Sequence, residues 1–558
     1  MILKALYDYY KRSENLVTTG WEKKEIDFLI VINNKGEFLG LEDRRINNKS
    51  SQAFVVKKAV GRSSGIRSNL FWDNTEYVLG ISLKKNPKDS LVKQRHQAFI
   101  DLCNQMAENH PDNIGILAVQ QFFKNHEENK VPCHALWSEV KEKHNLSFLL
   151  NGSLSIVASD QVFQSDIDAE QDNTNDSNFS YCLVTGKKAK NVETTTRSPI
   201  QGSQATAKLV AFQVKSGYDS WGKHQGAIAP ISEEAEFAYT TALNRLLAKD
   251  SHNKFVEGSR TFIFWASTNN EASHKAEAGL WNLLRNTAKD DPNRNVAKVR
   301  EIFKAISSGT IKTTLDDHFF FLGLAPNAAR IAVVYWNECS LREFAKKLLK
   351  HFEDMDIVDT RPNKVPYYGM FNILSAVTKG GNKSEVQPNL PEAVIKSIIQ
   401  GIPYPFSLYT SCLQRIRAEH SITITRAAII KAYINRHYNG ELTSMINREN
   451  TNIGYLCGRL FAVLEKEQEE ANNSSNIGER YLNAASTTPS SVFATLLNLN
   501  IHHEEKLEKP AQIRFSKLKG EIIDKLYDGE FPSHLNLEDQ GRFMVGYYQQ
   551  RQEFYKKK

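Results

Sequence analysis

The six cysteines of this 558-residue chain (103, 133, 182, 339, 412 and 457) form no CxxC pair, which excludes a disulfide framework and the usual thiolate metal knuckles. No apolar run approaches the roughly 18 residues a membrane span needs; the longest, such as Phe28 to Ile32, are strand-sized. Lys4, Asp8, Lys11 and Arg12 interrupt the first apolar residues and break up any signal-peptide core, so the chain is expected to be cytoplasmic, with no membrane contact. Hydrophobic residues make up 41% and charged residues 24%, an ordinary globular mix that excludes global disorder and fibrous repeats. At roughly 150 residues per domain, the length suggests three or four domains.

Acidic residues are absent from Arg44 to Trp72, where seven basic residues occur. Extending the window to Arg95 gives 12 basic residues against Asp73, Glu76 and Asp89. This one stretch therefore carries more positive charge than the whole chain, whose net charge is +7. A second basic bias runs from Lys187 to Lys215, with Lys188, Lys190, Arg197 and Lys208 against Glu193. A single run of this kind is usually a solvated face. Two, both rich in Ser, Asn, Gln and Gly, favour binding to a phosphate backbone. Between them lies an acidic segment containing Asp166, Asp168, Glu170, Asp172 and Asp176. A calcium loop would need Gly where Gln171 stands and Glu where Ser177 stands, so a flexible linker is expected.

Hydrophobic periodicity predicts an α+β protein: a mixed α/β N-terminal body followed by an all-α C-terminal helical bundle. Helices are expected over 2–12, 91–108, 233–248 and 425–438, the last stopping at Asn439-Gly440. Ile26 to Ile32 and Glu37 to Leu41 flank Asn33-Asn34-Lys35-Gly36, a hairpin signal. Further strands are expected at 54–56, 76–82, 260–265 and 330–336, the last after an Ala-Pro-Asn turn. Ser340 and Glu343 form a capping box for a helix bearing Leu341, Phe344, Leu348 and Phe352 on one face. Four bundle helices follow at about 452–471, 489–504, 511–528 and 537–556. Thr488 and Asn536 are their N-cap candidates, Pro489 a first-turn proline, Gly529 a stop, and Phe515, Leu518, Ile522 and Leu526 a core stripe. The resulting division is 1–165 (N-terminal, DNA-contacting), 166–180 (acidic linker), 181–390 (central α/β), 391–444 (helical connector) and 445–558 (bundle).

Three short motifs suggest enzymes and lack their context. Gly61-Arg-Ser-Ser-Gly65 matches a nucleophile elbow, but no helix follows. Gly217 to Lys223 approaches a phosphate-binding loop, but His224 replaces the Ser or Thr that would hold magnesium, and Gly226 and Pro230 oppose the required helix. Asp112 with Glu139 and Lys141 has the composition of a metal-dependent nuclease and stays open as the enzyme alternative. Adjacent His502 and His503 point to different sides of a helix, so no metal cluster and no cofactor are expected.

Several ordered blocks, taken together, resemble the large subunit of the subtype I-C CRISPR surveillance complex (Cascade). They are Met1 to Tyr10, Ser64 to Asn74, Tyr77 to Gly80, Cys182 to Gly186, Gly222 to Gly226, Pro230 to Ala235, Phe237 to Leu243, Leu324 to Arg330, Gly458 to Leu464 and Gly546 to Gln552. The resemblance implies a non-catalytic subunit of an RNA-guided complex that recognises a protospacer-adjacent motif (PAM) in duplex DNA. It also implies help with duplex opening and R-loop stabilisation, and recruitment of a helicase-nuclease. The implied partners are the CRISPR RNA-containing complex, with its backbone, guide 5′-end and small subunits, target DNA and that helicase-nuclease.

Within this reading, Arg62, Arg67, Asn69, Trp72 and Asn74 are the first candidates for PAM contact, with Lys223 and Gln225 second. The competing role for the Asn69–Asn74 group is turn capping around a core tryptophan. Arg44, Arg45, Lys49, Lys57, Lys58, Lys84 and Lys85 are expected on the DNA backbone. The bundle resembles small subunits that line the displaced strand, for which Arg514, Lys517 and Lys525 are candidates beside Glu521. Met445, just upstream of the bundle, would start a separately translated small subunit. A free-standing, non-specific DNA-binding protein is the third reading.

Overall fold

The run Phe28-Leu-Ile-Val-Ile32 is too short and too uniformly apolar for an amphipathic helix, and it forms a central strand with four of its five residues buried. The computed structural model describes residues 2–13, 16–47, 50–60, 65–84, 88–126, 134–172, 179–212, 219–285, 292–361, 369–381, 386–438, 442–526 and 530–556. The chain divides into two compact units: Ser13–Thr196 with Phe212–Thr241, and Met1–Arg12 with Arg197–Ala211 and Ala242–Lys558.

Helix α1 (Ile2–Arg12) belongs to the larger unit. The smaller unit then begins with β1 (Trp21–Ile26), β2 (Phe28–Ile32), β3 (Phe38–Asp43), β4 (Arg45–Asn47), β5 (Ser50–Lys57) and β6 (Trp72–Asn74). Next come α2 (Thr75–Val78), α3 (Asp89–Asn109), α4 (Ile114–Asn125), β7 (Asn145–Leu150), α5 (Phe163–Asp172), β8 (Phe179–Tyr181), β9 (Lys188–Lys190) and α6 (Glu233–Leu247), whose residues after Thr241 belong to the larger unit. One sheet has the order β3-β2-β7-β6, with β2 and β7 parallel, and a second has the order β1-β5-β4. Phe99 and Cys103 of α3, Phe122 and Phe123 of α4, and Phe148 of β7 share the core with β2. The β2–β3 hairpin forms as expected. Its Gly36 has φ +71°, and a Cβ there would lie 2.4 Å from the Phe122 amide nitrogen.

The larger unit contains the antiparallel sheet β10 (Lys254–Glu257), β11 (Arg260–Ala266), β12 (His318–Asn327) and β13 (Arg330–Ser340) in chain order. Helices α7 (Glu271–Arg285), α8 (Pro292–Ser308) and α9 (Leu341–Met355) accompany it. Ser340 caps α9 by accepting the Glu343 amide, and Leu341, Phe344, Leu348 and Phe352 are all buried. Helix α1 docks here: Tyr9 meets the Trp265 ring edge-on, and Arg12 donates to the Ala266 carbonyl at 2.7 Å.

After β13 the described chain is helical: α10 (Met370–Ala376), α11 (Leu390–Gln400), α12 (Phe406–Glu419) and α13 (Ile424–His437), then α14 (Ile453–Asn472), α15 (Ile477–Thr487), α16 (Pro489–Glu504), α17 (Lys509–Ile523) and α18 (Leu537–Phe554). Thus the mixed N-terminal architecture and the helical C-terminal region are both present. Asn536 caps α18 through the Asp539 amide. Phe515, Ile522 and Leu526 are buried, with Leu518 packed against them.

Several local expectations need correction. Residues 75–78 are helical, because Asn74 caps them, rather than the start of a strand. Pro326 remains in β12 opposite Ile331, and the turn is displaced to Ala328, at φ 51°. The acidic segment begins inside α5. An additional helix, α15, precedes α16, so Thr488 ends one helix and its side chain supplies no N-cap bond to the next. Asn439, Gly440 and Gly529 lie outside the described residues.

Helices α14 and α18 approach through glycine. A Cβ on Gly458 would sit 2.0 Å from the Phe543 carbonyl oxygen, and one on Gly546 would sit 2.3 Å from that of Tyr455. Arg459, fully buried beside this contact, donates to Gln550 at 3.1 Å and Glu521 at 3.0 Å. Gly458→Ala should therefore destabilise the larger unit by about 1–3 kcal/mol through overpacking, despite alanine's better helix propensity. Gly520→Ala, where a Cβ meets nothing within 4 Å, should instead stabilise by about 0.5–1 kcal/mol. Thermal unfolding of the two variants should move in opposite directions.

Candidate nucleic-acid interface

The first basic residues leave the edge of β3 and enter β4. Arg44 pairs with Glu42, and its other terminal nitrogen reaches Gln52 at 3.3 Å. Arg45 donates to Asp43 at 2.9 Å, pairs with Glu139, and lies 4.8 Å from the Phe28 ring centroid. Hydrogen bonding from Arg45 holds the Asp43 carboxyl below its ordinary range. Both arginines are thus held by carboxylates, Glu139 coming from far along the chain. Lys49 lies outside the described residues.

Beside Arg45 lies a polar cavity of about 520 Å³. Asn47, Ser50 and Ser51 line one side, and Lys141, Lys143 and His144 another. Asp27, also in its lining, accepts from Ser51 Oγ at 2.6 Å and from the Asn145 amide at 2.7 Å. Burial pushes His144 below the usual imidazole range, and its Nδ1 accepts from the Lys141 amide at 3.0 Å. Lys141 and Lys143 are exposed and have no side-chain partner among the described residues. The Lys-Glu-Lys run at 141–143 was the available sequence signal for them. The nuclease reading weighed only Lys141, as a catalytic group.

Beyond β5, Val60 and Asn69 are tied together. The Val60 amide donates to Asn69 Oδ1 at 3.0 Å, and the Asn69 amide donates to Asp73 at 3.1 Å. Phe71 is fully buried with φ 57°, a strained conformation for a residue with a side chain, and Ser147 Oγ bonds its carbonyl at 2.8 Å. Trp72 is 2% exposed, with the Lys24 ammonium 4.8 Å from its ring centroid. Asn74 uses its side-chain oxygen to cap α2. Asn69 and Asn74 thus shape the turn and Trp72 fills core, the competing role weighed for this group. Arg67 is exposed, while Arg62 lies outside the described residues.

Glu76 organises the next part of the basic stretch. It is 3% exposed and accepts from Ser82 at 2.8 Å, Lys84 at 3.0 Å and Arg95. Lys84 also reaches Glu142 at 3.3 Å. Burial alone would raise the Glu76 pKa, but the hydrogen bonds from Ser82, Lys84 and Arg95 outweigh it and lower the value. Lys58 bonds Thr196 Oγ1 at 3.3 Å and lies 3.9 Å from Glu236. Lys57 ends β5, and Lys85 lies outside the described residues.

The glycine loop is a separate structure within the same unit. Ser220 and Lys223 bridge across Trp221 and Gly222, both in the left-handed region. Trp221 is 94% exposed, and Lys223 is exposed with no side-chain partner among the described residues. Gln225 has φ 45° and starts a 3-10 turn. Gly226 cannot be replaced without rearrangement, since a Cβ would lie 1.7 Å from the Val192 carbonyl oxygen.

In the larger unit, Arg514 pairs with Glu470 at 2.7 Å and Lys525 with Glu449 at 3.1 Å. Lys517 is exposed and unpartnered among the described residues. Lys525 lies beyond the end of α17, while Glu521 binds Arg459. For the nuclease alternative, Glu139 is occupied by Arg45, and among the described residues no three His, Cys, Asp or Glu side chains gather to hold a metal ion. No helix among the described residues is long and apolar enough to cross a membrane.

Compared with known protein families, residues 6–555 match the model described as CRISPR-associated protein (Cas_Csd1). No curated protein matches the chain.

Glu76→Gln removes the charge that holds Lys84 and Arg95, and should cost the smaller unit about 1–3 kcal/mol at pH 7. Because the native pKa lies below the ordinary carboxylate value of 4.5, the stabilisation is complete above that value and is lost as pH falls through the native pKa. Thermal unfolding as a function of pH should therefore show a large deficit for the variant at pH 7 that narrows on acidification below about 4.5.

Proposed function

The chain belongs to the CRISPR-associated (Cas_Csd1) family and is a Cascade large subunit, and from that premise we propose that it recognises the PAM in double-stranded DNA, assists duplex opening, stabilises the R-loop and helps recruit the helicase-nuclease. The family match carries this reading. Three features of the smaller unit support it: the cavity flanked by Lys141 and Lys143, the Val60–Asn69 hydrogen bond after β5, and the Lys223 turn. Lysines without internal carboxylate partners are suited to neutralising phosphates, whereas Arg44, Arg45 and Lys84 would first have to exchange their present pairings. Base readout is assigned to the 61–69 segment and to Lys223 with Gln225. Asn69 and Asn74 act there as supports. The enclosing complex contains CRISPR RNA, backbone subunits, the guide 5′-end subunit and small subunits, and works in the cytoplasm.

Arg514, Lys517 and Lys525 are proposed to follow the displaced strand, with Lys517 the most available. We further propose that residues from about Met445 are also produced separately as a small subunit. Met445 is 58% exposed and precedes α14. In such a product, Tyr548 would lose its bond to the Val358 carbonyl and Leu537 its bond from Tyr409, uncovering a face that could engage a partner. Expression of the native gene should yield a C-terminal fragment detectable by mass spectrometry and lost on Met445→Ala; absence of the fragment refutes this part.

The central test is a gel shift with complexes assembled with and without this chain, on matched targets bearing an intact or mutated PAM. Omission should abolish PAM discrimination; unchanged discrimination would overturn the proposal. Lys141→Gln with Lys143→Gln should weaken duplex binding on every sequence and reduce the log–log salt slope by about 1 per lysine.

A further inference from the structure

The basic residues that begin at Lys187 surface on the two-stranded β8–β9 ribbon. Tyr181 pairs with Lys188 and Phe179 with Lys190, so these four side chains project from one face. The ribbon closes over residues 182–187, where the Cys182 amide donates to the Lys187 carbonyl at 2.9 Å. Tyr181 is 71% exposed, Lys187 and Lys188 are exposed, and none of the three has a side-chain partner among the described residues. Lys190 is drawn instead towards Glu233, at 3.8 Å. The turn bearing Trp221 is fastened to the base of this ribbon. The Leu183 amide donates to the Pro230 carbonyl at 2.9 Å, the Val192 amide donates to that of Ile231 at 3.0 Å, and Gly226 lies against the Val192 carbonyl. Trp221 and Lys223 thus stand on the same hydrogen-bonded scaffold as Tyr181 and Lys188. Of the carboxylates on residues 179–193 and 219–232, Asp219 is held by His224 at 2.9 Å, which leaves Glu193 against Lys187, Lys188 and Lys223.

We propose that the ribbon and the Trp221 turn form a platform for the displaced DNA strand, an inference that rests on the chain acting as the PAM-recognising subunit. Tyr181 and Trp221 stack on its bases, and Lys187, Lys188 and Lys223 lie along its phosphates. An exposed aromatic face can take up a base only after that base has left the duplex, so the two rings select single strand over duplex. Stacking also tolerates any base, as it must for a strand whose sequence changes with every target. A protein partner suits this face less well. Protein interfaces favour arginine and are depleted in lysine, whereas both segments contain lysine and no arginine. Trp221 lies two residues from Lys223, to which base readout is assigned, so the strand released beside the PAM meets it first. Bases held on the platform are withheld from their complement, which slows closure of the opened duplex.

The test compares complete Cascade, assembled with parent or variant full-length chain, on two targets. One is a PAM-bearing duplex; in the other the PAM is duplex but the displaced strand is missing beyond it. Tyr181→Ala with Trp221→Ala and, separately, Lys187→Gln with Lys188→Gln alter exposed side chains only. Each pair should shorten the lifetime of the R-loop on the duplex by about tenfold or more, and neither should change dissociation from the strand-deficient target. Tyr181→Phe with Trp221→Phe keeps both rings and should keep the parent lifetime. An unchanged lifetime on the duplex refutes the platform and leaves PAM recognition standing. An equal loss on both targets, or failure of the variants to assemble, also refutes it and assigns the face to the guide RNA or a neighbouring subunit. Loss of PAM dependence in the parent complex would instead remove the functional reading itself.

Discussion

Main-chain contact between α14 and α18 is the constraint on which the larger unit depends. Two helices can bring backbone atoms this close only where side chains are absent, and Gly454, Gly458 and Gly546 provide those positions. The neighbouring residues then have little freedom. Arg459 is sealed inside and must find Gln550 and Glu521, while Phe461 packs against Phe543. On the other side of α18, Gly541 admits the Tyr409 hydroxyl, which bonds the Leu537 carbonyl and connects the last helix to α12. The blocks Gly458 to Leu464 and Gly546 to Gln552, which first suggested the family, therefore coincide with a packing requirement of the fold.

Much of the architecture was legible where one local rule sufficed. The β2–β3 hairpin follows from its turn residues, α9 from the Ser340–Glu343 box, and α18 from Asn536. The errors arose where distant residues decide the outcome. Residues 477–487 form a helix because Ile477, Leu482 and Ala485 bury against the bundle, although the segment is rich in Asn, Ser and Thr. Trp72 had two possible roles in sequence, at DNA or in the core; the sheet places it opposite Ser147 of β7 and encloses it. The turn between β12 and β13 was misplaced because proline usually marks turns, whereas Pro326 occupies the last part of a paired strand.

Charge shows the same distinction between sequence and space. The stretch from Arg44 to Arg95 is strongly basic in sequence, but Glu42, Glu76, Glu139 and Glu142 draw several of its side chains into ion pairs. Two of those carboxylates lie nearly a hundred residues from the arginine they meet or more than fifty from the lysine, so a windowed count could not include them. Conversely, Lys141 and Lys143 fall outside that window but share a cavity with Arg45. The interface is therefore a mosaic of anchored cations and available lysines, whose electrostatic contributions to any anionic partner differ with solvent screening.

The docking of α1 also bears on the order of synthesis. Its buried Ala5 and Leu6, with Arg12, are made well before Ala266 and Glu277, which receive that arginine and emerge more than 250 residues later. At roughly 5–20 residues per second, about 10–50 seconds separate the helix from its partners on the ribosome. Throughout that interval the smaller unit can fold around its own core while the opening helix waits with an unsatisfied apolar face. Such a high-contact-order junction is a natural late step in maturation, and a point at which chaperone protection would have its greatest effect.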